Sequence, residues 1–147
     1  MQPSTSHPLY KTLTRHLKCQ MPELELPGAE AGKKQFFLCP ISSGIDSTAV
    51  AVVLTILYPT LPVIYIHTDT GIEIDGTEEA IDRIERFTGA KVFRLRPAKD
   101  LLQIIEDQGN YLPSARQRFC TQVAKIRPYK NFIKALEAKY PEAVFVS

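Results

Sequence analysis

Residues Phe36–Leu57 read FFLCPISSGIDSTAVAVVLTIL, and the organisation of the whole chain follows from this stretch. Phe36–Ile41 is an apolar run that is long enough for a buried strand and too short for a helix. Ser42–Thr48 then supplies one glycine, four hydroxyls and a carboxylate, and Ala49–Leu57 has the apolar spacing of a buried helix. A strand, a turn of small residues and a helix form the layout in which main-chain N–H groups hold an anion.

The same alternation of strand and helix patterns continues toward the C-terminus. Short apolar runs predict three further strands, at Val63–His67, Lys91–Leu95 and Ala143–Val146. Helical spacing predicts four further helices: Tyr10–Cys19, Thr77–Gly89, Pro97–Gln108 and Thr121–Tyr140. Thr77 is the predicted cap of the second, and Leu101, Leu102, Ile104 and Ile105 are predicted to face inward in the third. Pro128 starts a new segment within the fourth.

Strands that are apolar on both faces and alternate with helices predict an α/β fold with a parallel sheet. We expect a Rossmann-like, three-layer α/β/α sandwich. Right-handed crossovers give the strand order three, two, one, four, and the order reverses beside the first strand. Ligands bind at such a reversal, outside the carboxyl ends of the strands, and that is where Ser42–Thr48 lies.

Length and composition indicate one ordinary globular domain. The 147 residues are 44% hydrophobic and 23% charged, and the net charge of +2 does not by itself indicate nucleic acid or a membrane as partner. Cysteines at positions 19, 39 and 120 form neither an even set nor a CxxC pair, so we expect reduced thiols and a cytoplasmic location. Because no Cys/His pair has ligand spacing, we expect no zinc site. We divide the chain into an N-terminal helix and connector, residues 1–34, and an α/β domain, residues 35–147.

Three loops should meet at the carboxyl ends of the strands: Ser42–Thr48, Thr68–Thr77 and Asn110–Arg127. The first loop either binds phosphate or only caps the helix that follows it. One cap needs a single hydroxyl or carboxylate, so a run of small and polar residues favours phosphate binding. Asp69 and Glu73 could bind Mg²⁺ or could cap the next helix, and the sequence does not separate these alternatives.

All three loops carry a resemblance to one family. SSGIDST, Ser42–Thr48, resembles the SGGxDS signature of the PP-loop ATP pyrophosphatases, and DTGIEIDGT, Asp69–Thr77, resembles the DTG…E…T segment of the phosphoadenosine phosphosulfate (PAPS) reductase family. Arg118-Phe119-Cys120-Thr121 with Lys125 and Pro128 resembles that family's R-[WF]-C-T-x3-K-x2-P pattern. The family usually has Gly where this chain has Ser43, and often Lys where it has Ile45.

The resemblance implies an adenine-nucleotide site with two sides. The residues implied on the phosphate side are Ser42, Ser43, Gly44, Asp46, Ser47, Thr48, Arg118 and Lys125. Those implied on the adenine and ribose side are His67, Thr68, Asp69, Thr70 and Gly71. His67 can instead be a packed core histidine, and Cys120 either belongs to the site, where positive charge favours its thiolate, or simply packs.

The resemblance leaves the reaction open. Relatives reduce PAPS or APS with a thioredoxin-type reductant, or cleave ATP at the α-phosphate with Mg²⁺ to drive adenylation or sulfur transfer, as in DNA phosphorothioation. Because the chain has one cysteine where iron–sulfur relatives have a pair, we expect no cluster. The family pattern continues beyond Ser147, so we expect a truncated domain, and a non-catalytic nucleotide-binding fragment is a third reading. A sulfur-transfer partner protein and a homodimer are further expectations.

Overall fold

The fold is taken from a computed structural model, which describes residues 7–17, 33–114 and 116–147. Within these ranges the strands are β1 Lys34–Pro40, β2 Val63–Thr68, β3 Val92–Leu95 and β4 Ala143–Val146. The helices are α1 Pro8–Leu17, α2 Ile45–Leu57, α3 Thr77–Thr88, α4 Leu101–Asp107 and α5 Arg127–Lys139, with a π-helix at Thr121–Ile126 directly before α5.

The four strands form one parallel sheet in the order β3-β2-β1-β4. Leu38 of β1 pairs with Ile64 of β2, and Tyr65 of β2 pairs with Val92 of β3. The predicted fold class and strand order are therefore confirmed. Because β2 and β4 flank β1 on opposite sides, the chain leaves β1 at the point where the order reverses.

The core lies between the sheet and the helices α2 and α3. It contains Cys39, Ile41, Ala51, Tyr65, Ile81, Ile84 and Val92. Ile66 and Ile81 are the largest fully buried side chains, and burying a side chain of this size stabilises the fold by about 1.5–3 kcal/mol. Cys39 is a small core residue of β1, and burial raises the pKa of its thiol.

Two helix starts differ from the predictions because a cap residue sets them. α4 begins at Leu101, since the Asp100 side chain accepts from the N–H of Gln103 and the Gln103 side chain accepts from the N–H of Asp100. This capping box leaves residues 97–99 outside the predicted helix. At α3 the cap is Gly76, with φ 88°, and Thr77 is the first, buried residue of the helix.

One predicted inward position is wrong. Leu102 is 59% exposed, while Ile104 in the same helix is buried. A helix of only seven residues turns one narrow stripe toward the sheet, so neighbouring apolar residues cannot all face inward.

The N-terminal part is described only in α1, which packs against α2. Residues 18–32 of the predicted connector lie outside the described residues, so the division at residue 34 stays a prediction. None of the helices in the described part of the chain is long and apolar enough to cross a membrane.

Candidate functional site

The loop between β1 and α2 is folded by its own hydroxyl groups. The N–H of Ser42 donates to Oγ of Ser47 at 3.1 Å, and the hydroxyls of Ser47 and Thr48 donate to the carbonyl of Gly44 at 3.2 and 2.8 Å. Ser43 lies in the left-handed region with φ 59°. The serine and threonine hydroxyls thus hold the shape of the loop, a role that the sequence alone did not separate from phosphate contact.

Folding the loop in this way leaves a run of main-chain donors unused. The N–H groups of Ser43, Gly44, Ile45, Asp46 and Ser47 have no acceptor among the described residues. They lead into the first turn of α2, a helix of 13 residues whose dipole places positive partial charge at this end. Consecutive free N–H groups at a helix N-terminus are suited to hold an anion.

A cavity of about 280 Å³ adjoins the carboxyl ends of β1 and β2. Side chains from all three predicted loops line it, among them Ser42 from the first, Thr68 and Glu73 from the second, and Thr121 and Lys125 from the third. The structure therefore brings the three loops together around one space. Ile126 and Tyr129, which the motifs did not include, complete the wall on the helical side.

His67 lines the same cavity and is only 2% exposed. Its Nδ1 lies 2.9 Å from the carbonyl oxygen of Ile41, which assigns the proton to Nδ1 because a carbonyl only accepts. The other ring nitrogen, Nε2, is buried and has no partner among the described residues. His67 is thus packed, as one of its two interpretations predicts. It also lines the candidate cavity, and its contact with a nucleotide stays a prediction.

The loop after β2 is held by its two carboxylates. Asp69 accepts from the N–H of Gly71 at 2.8 Å and from Nε of Arg96 at 2.7 Å, while Glu73 accepts from the N–H and hydroxyl of Thr70 at 2.9 and 2.8 Å. The Gly71 N–H and then the Arg96 guanidinium lower the pKa of the Asp69 carboxyl. Arg96 was not predicted, since only the folded chain brings it to Asp69.

These contacts bear on the predicted Mg²⁺ ligands. Both oxygens of Asp69 are engaged, and one oxygen of Glu73 is. Among residues 7–17, 33–114 and 116–147, no group of three or more His, Cys, Asp or Glu side chains forms a metal site by itself. A magnesium ion carried in with nucleotide phosphates needs only one or two carboxylates, so its binding stays a prediction.

The third loop enters the π-helix Thr121–Ile126, whose hydrogen bonds include Arg127 N–H to the carbonyl of Gln122. Pro128 lacks the N–H that would bond to Ala124 in an α-helix, which favours the wider turn here. Lys125 reaches the cavity from this turn. Arg118 is exposed, and Cys120 is half-buried with its sulfur 3.9 Å from Oγ1 of Thr121; neither is among the residues that line the cavity.

A larger cavity, of about 670 Å³, lies between α1, α2 and α3. Its walls are mostly apolar, with Leu13, Val52, Ile84 and Phe87 among them. The groove also includes Ser43, Ile45 and Thr48 of the first loop, but none of its described lining residues comes from the second or third loop. The smaller cavity contains residues of all three loops, with Ser42 directly before the free N–H groups and Lys125 from the third loop, and it is therefore the candidate functional site.

One protein family matches the part of the chain that contains this cavity. Residues 37–143 match the model of the phosphoadenosine phosphosulfate reductase domain. The chain belongs to this family. The matched residues include every segment that lines the cavity, so the site lies in a PP-loop-like nucleotide-binding domain of the PAPS reductase family.

An uncharacterized protein of Methanocaldococcus jannaschii is 31% identical to the chain over 103 residues. The similarity covers 69% of this chain and 20% of that protein. The chain thus spans about a fifth of the length of this relative.

Proposed function

We propose that this domain binds an adenine nucleotide (PAPS, APS or ATP) with its phosphates at the Ser42–Thr48 loop. The observation that carries the proposal is a run of five N–H groups at the N-terminus of α2 that have no acceptor among the described residues. The run directly follows Ser42, which lines the cavity together with Lys125. The N–H groups suit phosphate oxygens, and the lysine adds a full positive charge to the partial charge of the helix dipole.

The opposite side of the cavity supports a place for the nucleoside. His67 and Thr68 at the end of β2 line the cavity, while Asp69, Thr70 and Gly71 form the hydrogen-bonded loop that follows. A buried imidazole and a loop tied by carboxylates can hold a base and a sugar with little reorganisation on binding. Arg118 is exposed in the third loop, three residues before the π-helix, and we propose that it approaches the outer phosphates or the sulfate.

For the reaction, the first candidate is sulfonucleotide reduction with a thioredoxin-type protein as electron donor, because the family description names a PAPS reductase domain. The second is cleavage of ATP at the α-phosphate with Mg²⁺, driving adenylation or sulfur transfer to a partner. The exposed Arg116 and Arg118 favour this second candidate, since a leaving pyrophosphate needs positive charge around it. Nucleotide binding without catalysis by this chain alone is the third candidate.

Calorimetric titration with ATP, APS and PAPS tests the binding step. Wild type should bind at least one of them, and Lys125→Gln should weaken that binding by about tenfold. Lys130→Gln is the matched control, because Lys130 is an exposed lysine of α5 that does not line the cavity. If none of the three nucleotides binds, or if both lysine variants weaken binding equally, the proposed site is wrong.

Product analysis then separates the reactions. Sulfite formed from PAPS or APS in the presence of reduced thioredoxin identifies a reductase. Pyrophosphate formed from ATP and Mg²⁺ identifies an α-phosphate hydrolase or transferase. A chain that binds nucleotide and forms neither product is the non-catalytic candidate.

A further inference from the structure

The net charge of +2 is the sum over parts of the chain that carry opposite net charge. Residues 1–90 contain 7 Lys or Arg and 11 Asp or Glu, a net charge of −4, whereas residues 91–134 contain 10 basic and 3 acidic residues, a net charge of +7. A local excess of this size on a domain of small net charge indicates a polyanionic partner more directly than the overall charge does.

Ion pairs within the fold neutralise part of this excess. Arg94 of β3 pairs with three carboxylates of α3, and Lys91 pairs with one of them. Arg96 pairs with Asp69, and Lys99 pairs with Asp107 at 2.6 Å. Within residues 91–134, the basic side chains that have no ion-pair partner among the described residues are Arg116, Arg118, Lys125, Arg127, Lys130 and Lys134.

Three of these cations share one side of α5. Arg127, Lys130 and Lys134 are all exposed, and their spacing of three and four residues places them along one stripe of the helix. Arg127 also lines a cavity of about 460 Å³, together with Arg96 and Lys99 from the loop after β3. We call these five residues, Arg96, Lys99, Arg127, Lys130 and Lys134, the basic face. Arg96 and Lys99 are paired with Asp69 and Asp107, so the unpaired positive charge of the face comes from α5.

An exposed tyrosine follows this cavity along the chain, three residues after Gln108. Gln108 lines the same cavity, and the ring of Tyr111 lies 3.7 Å from the position that a Cβ of Gly109 would occupy. Tyr111 is 71% exposed and Leu112 is 75% exposed. Solvent-exposed rings next to unpaired cations are a combination that proteins use to stack bases while neutralising the phosphates of a single strand.

We propose that the basic face binds the phosphate backbone of a single-stranded nucleic acid, with Tyr111 stacking on a base. The π-helix and the start of α5 separate this face from the nucleotide cavity, with Lys125 on the cavity side and Arg127 on the other. A strand bound there lies next to the proposed nucleotide site. The interaction goes beyond the proposed function and does not depend on it.

Fluorescence anisotropy with a labelled strand of about 20 nucleotides, as RNA and as DNA and without added nucleotide, tests the proposal. Binding should weaken as NaCl rises from about 50 to about 200 mM. The triple variant Arg127→Gln, Lys130→Gln, Lys134→Gln should lose affinity by about tenfold or more. It should also reduce the slope of log K against log salt by about 2, since each lost contact contributes about 0.7.

A control triple, Lys11→Gln, Arg83→Gln, Lys91→Gln, removes the same charge from exposed positions outside the basic face and should leave affinity and slope nearly unchanged. Tyr111→Ala should weaken binding by about fivefold or more without changing the salt slope, because stacking releases no counterions. Tyr140→Ala is the matched exposed-tyrosine control.

Three results overturn the proposal. The first is the absence of binding at the lowest salt concentration. The second is an equal loss of affinity in the two triple variants. The third is binding to poly-glutamate or to vesicles containing phosphatidylserine that matches or exceeds binding to the labelled strand, because it shows that the face attracts anions of another class.

Discussion

Nε of Arg96 lies 2.7 Å from Oδ2 of Asp69, so the residue that follows β3 is tied to the residue that follows β2. The Asp69 side chain is 13% exposed, whereas that of Arg96 is 80% exposed. The other carboxylate oxygen accepts from the N–H of Gly71. One carboxylate thereby holds the loop that forms the nucleoside side of the proposed site.

The Asp69 contacts should make stability depend on pH. Because the pKa of Asp69 is lower in the folded protein than its ordinary value of 3.8, its stabilisation is complete above that value and is lost as pH falls through the folded pKa. Asp69→Asn should lower the free energy of unfolding by about 1–2 kcal/mol at pH 7. Urea unfolding should show this difference shrinking below about pH 4. A difference that is constant with pH contradicts the role of the charge.

Gly71 approaches the start of α4 so closely that no side chain fits. A Cβ on Gly71 would lie 2.8 Å from Cβ of Asp100, and its φ is 83°. Gly76→Ala is the matched control, because Gly76 has φ 88° but no atom within 4 Å of the corresponding position. Both variants should be destabilised by their backbone conformation, by about 1 kcal/mol. Thermal unfolding should show that Gly71→Ala lowers the free energy of unfolding by about 1–3 kcal/mol more than Gly76→Ala does, which is the typical cost of overpacking. Equal losses would show that the loop moves freely away from α4.

Ser43 has a strained backbone conformation that glycine adopts without strain. It has φ 59°, a region that residues other than Gly, Asn and Asp adopt only with strain. Ser43→Gly should therefore raise the free energy of unfolding, by up to about 1 kcal/mol. Asn110→Gly is the comparison, since Asn110 has φ 64° but asparagine tolerates this region, and the gain there should be smaller. Chemical denaturation of both variants measures the difference, and a loss of stability in Ser43→Gly contradicts it.

Whether a feature of the fold or site can be predicted from the sequence depends on how far apart along the chain the interacting residues lie. The strand order followed from the alternation of apolar runs, and the Ser42–Thr48 loop lies at the reversal as expected, because both depend on local pattern and chain connectivity. The start of α4 and the pairing of Arg96 with Asp69 did not follow. The first depends on a cap that competes with a continuous apolar pattern. The second joins residues 27 positions apart, which no local pattern records.

The use of hydroxyls in the first loop was also hidden from the sequence. A Ser/Thr-rich turn predicts phosphate contact or a cap, yet Ser47 and Thr48 both donate to the carbonyl of Gly44 and so shape the loop. Main-chain N–H groups are left as the donors that we propose bind the anion. Their availability depends on which groups the hydroxyls satisfy, which only the folded geometry decides.

Pro128 should matter for the site through the π-helix, although it does not line the nucleotide cavity. Pro128→Ala restores an N–H that can bond to the carbonyl of Ala124, so the wide turn should convert to an α-helix. The residues of the present π-helix would then rotate about the helix axis, and the Lys125 side chain would leave its present direction. The free energy of unfolding should change by less than about 1 kcal/mol, because the new hydrogen bond offsets the greater freedom of the unfolded chain. Calorimetric titration with whichever of ATP, APS and PAPS binds the wild type should nevertheless show a loss of affinity close to that of Lys125→Gln. Pro59→Ala, in the turn between α2 and β2, is the control and should leave affinity unchanged. Unchanged affinity in Pro128→Ala would mean that the π-helix does not position Lys125.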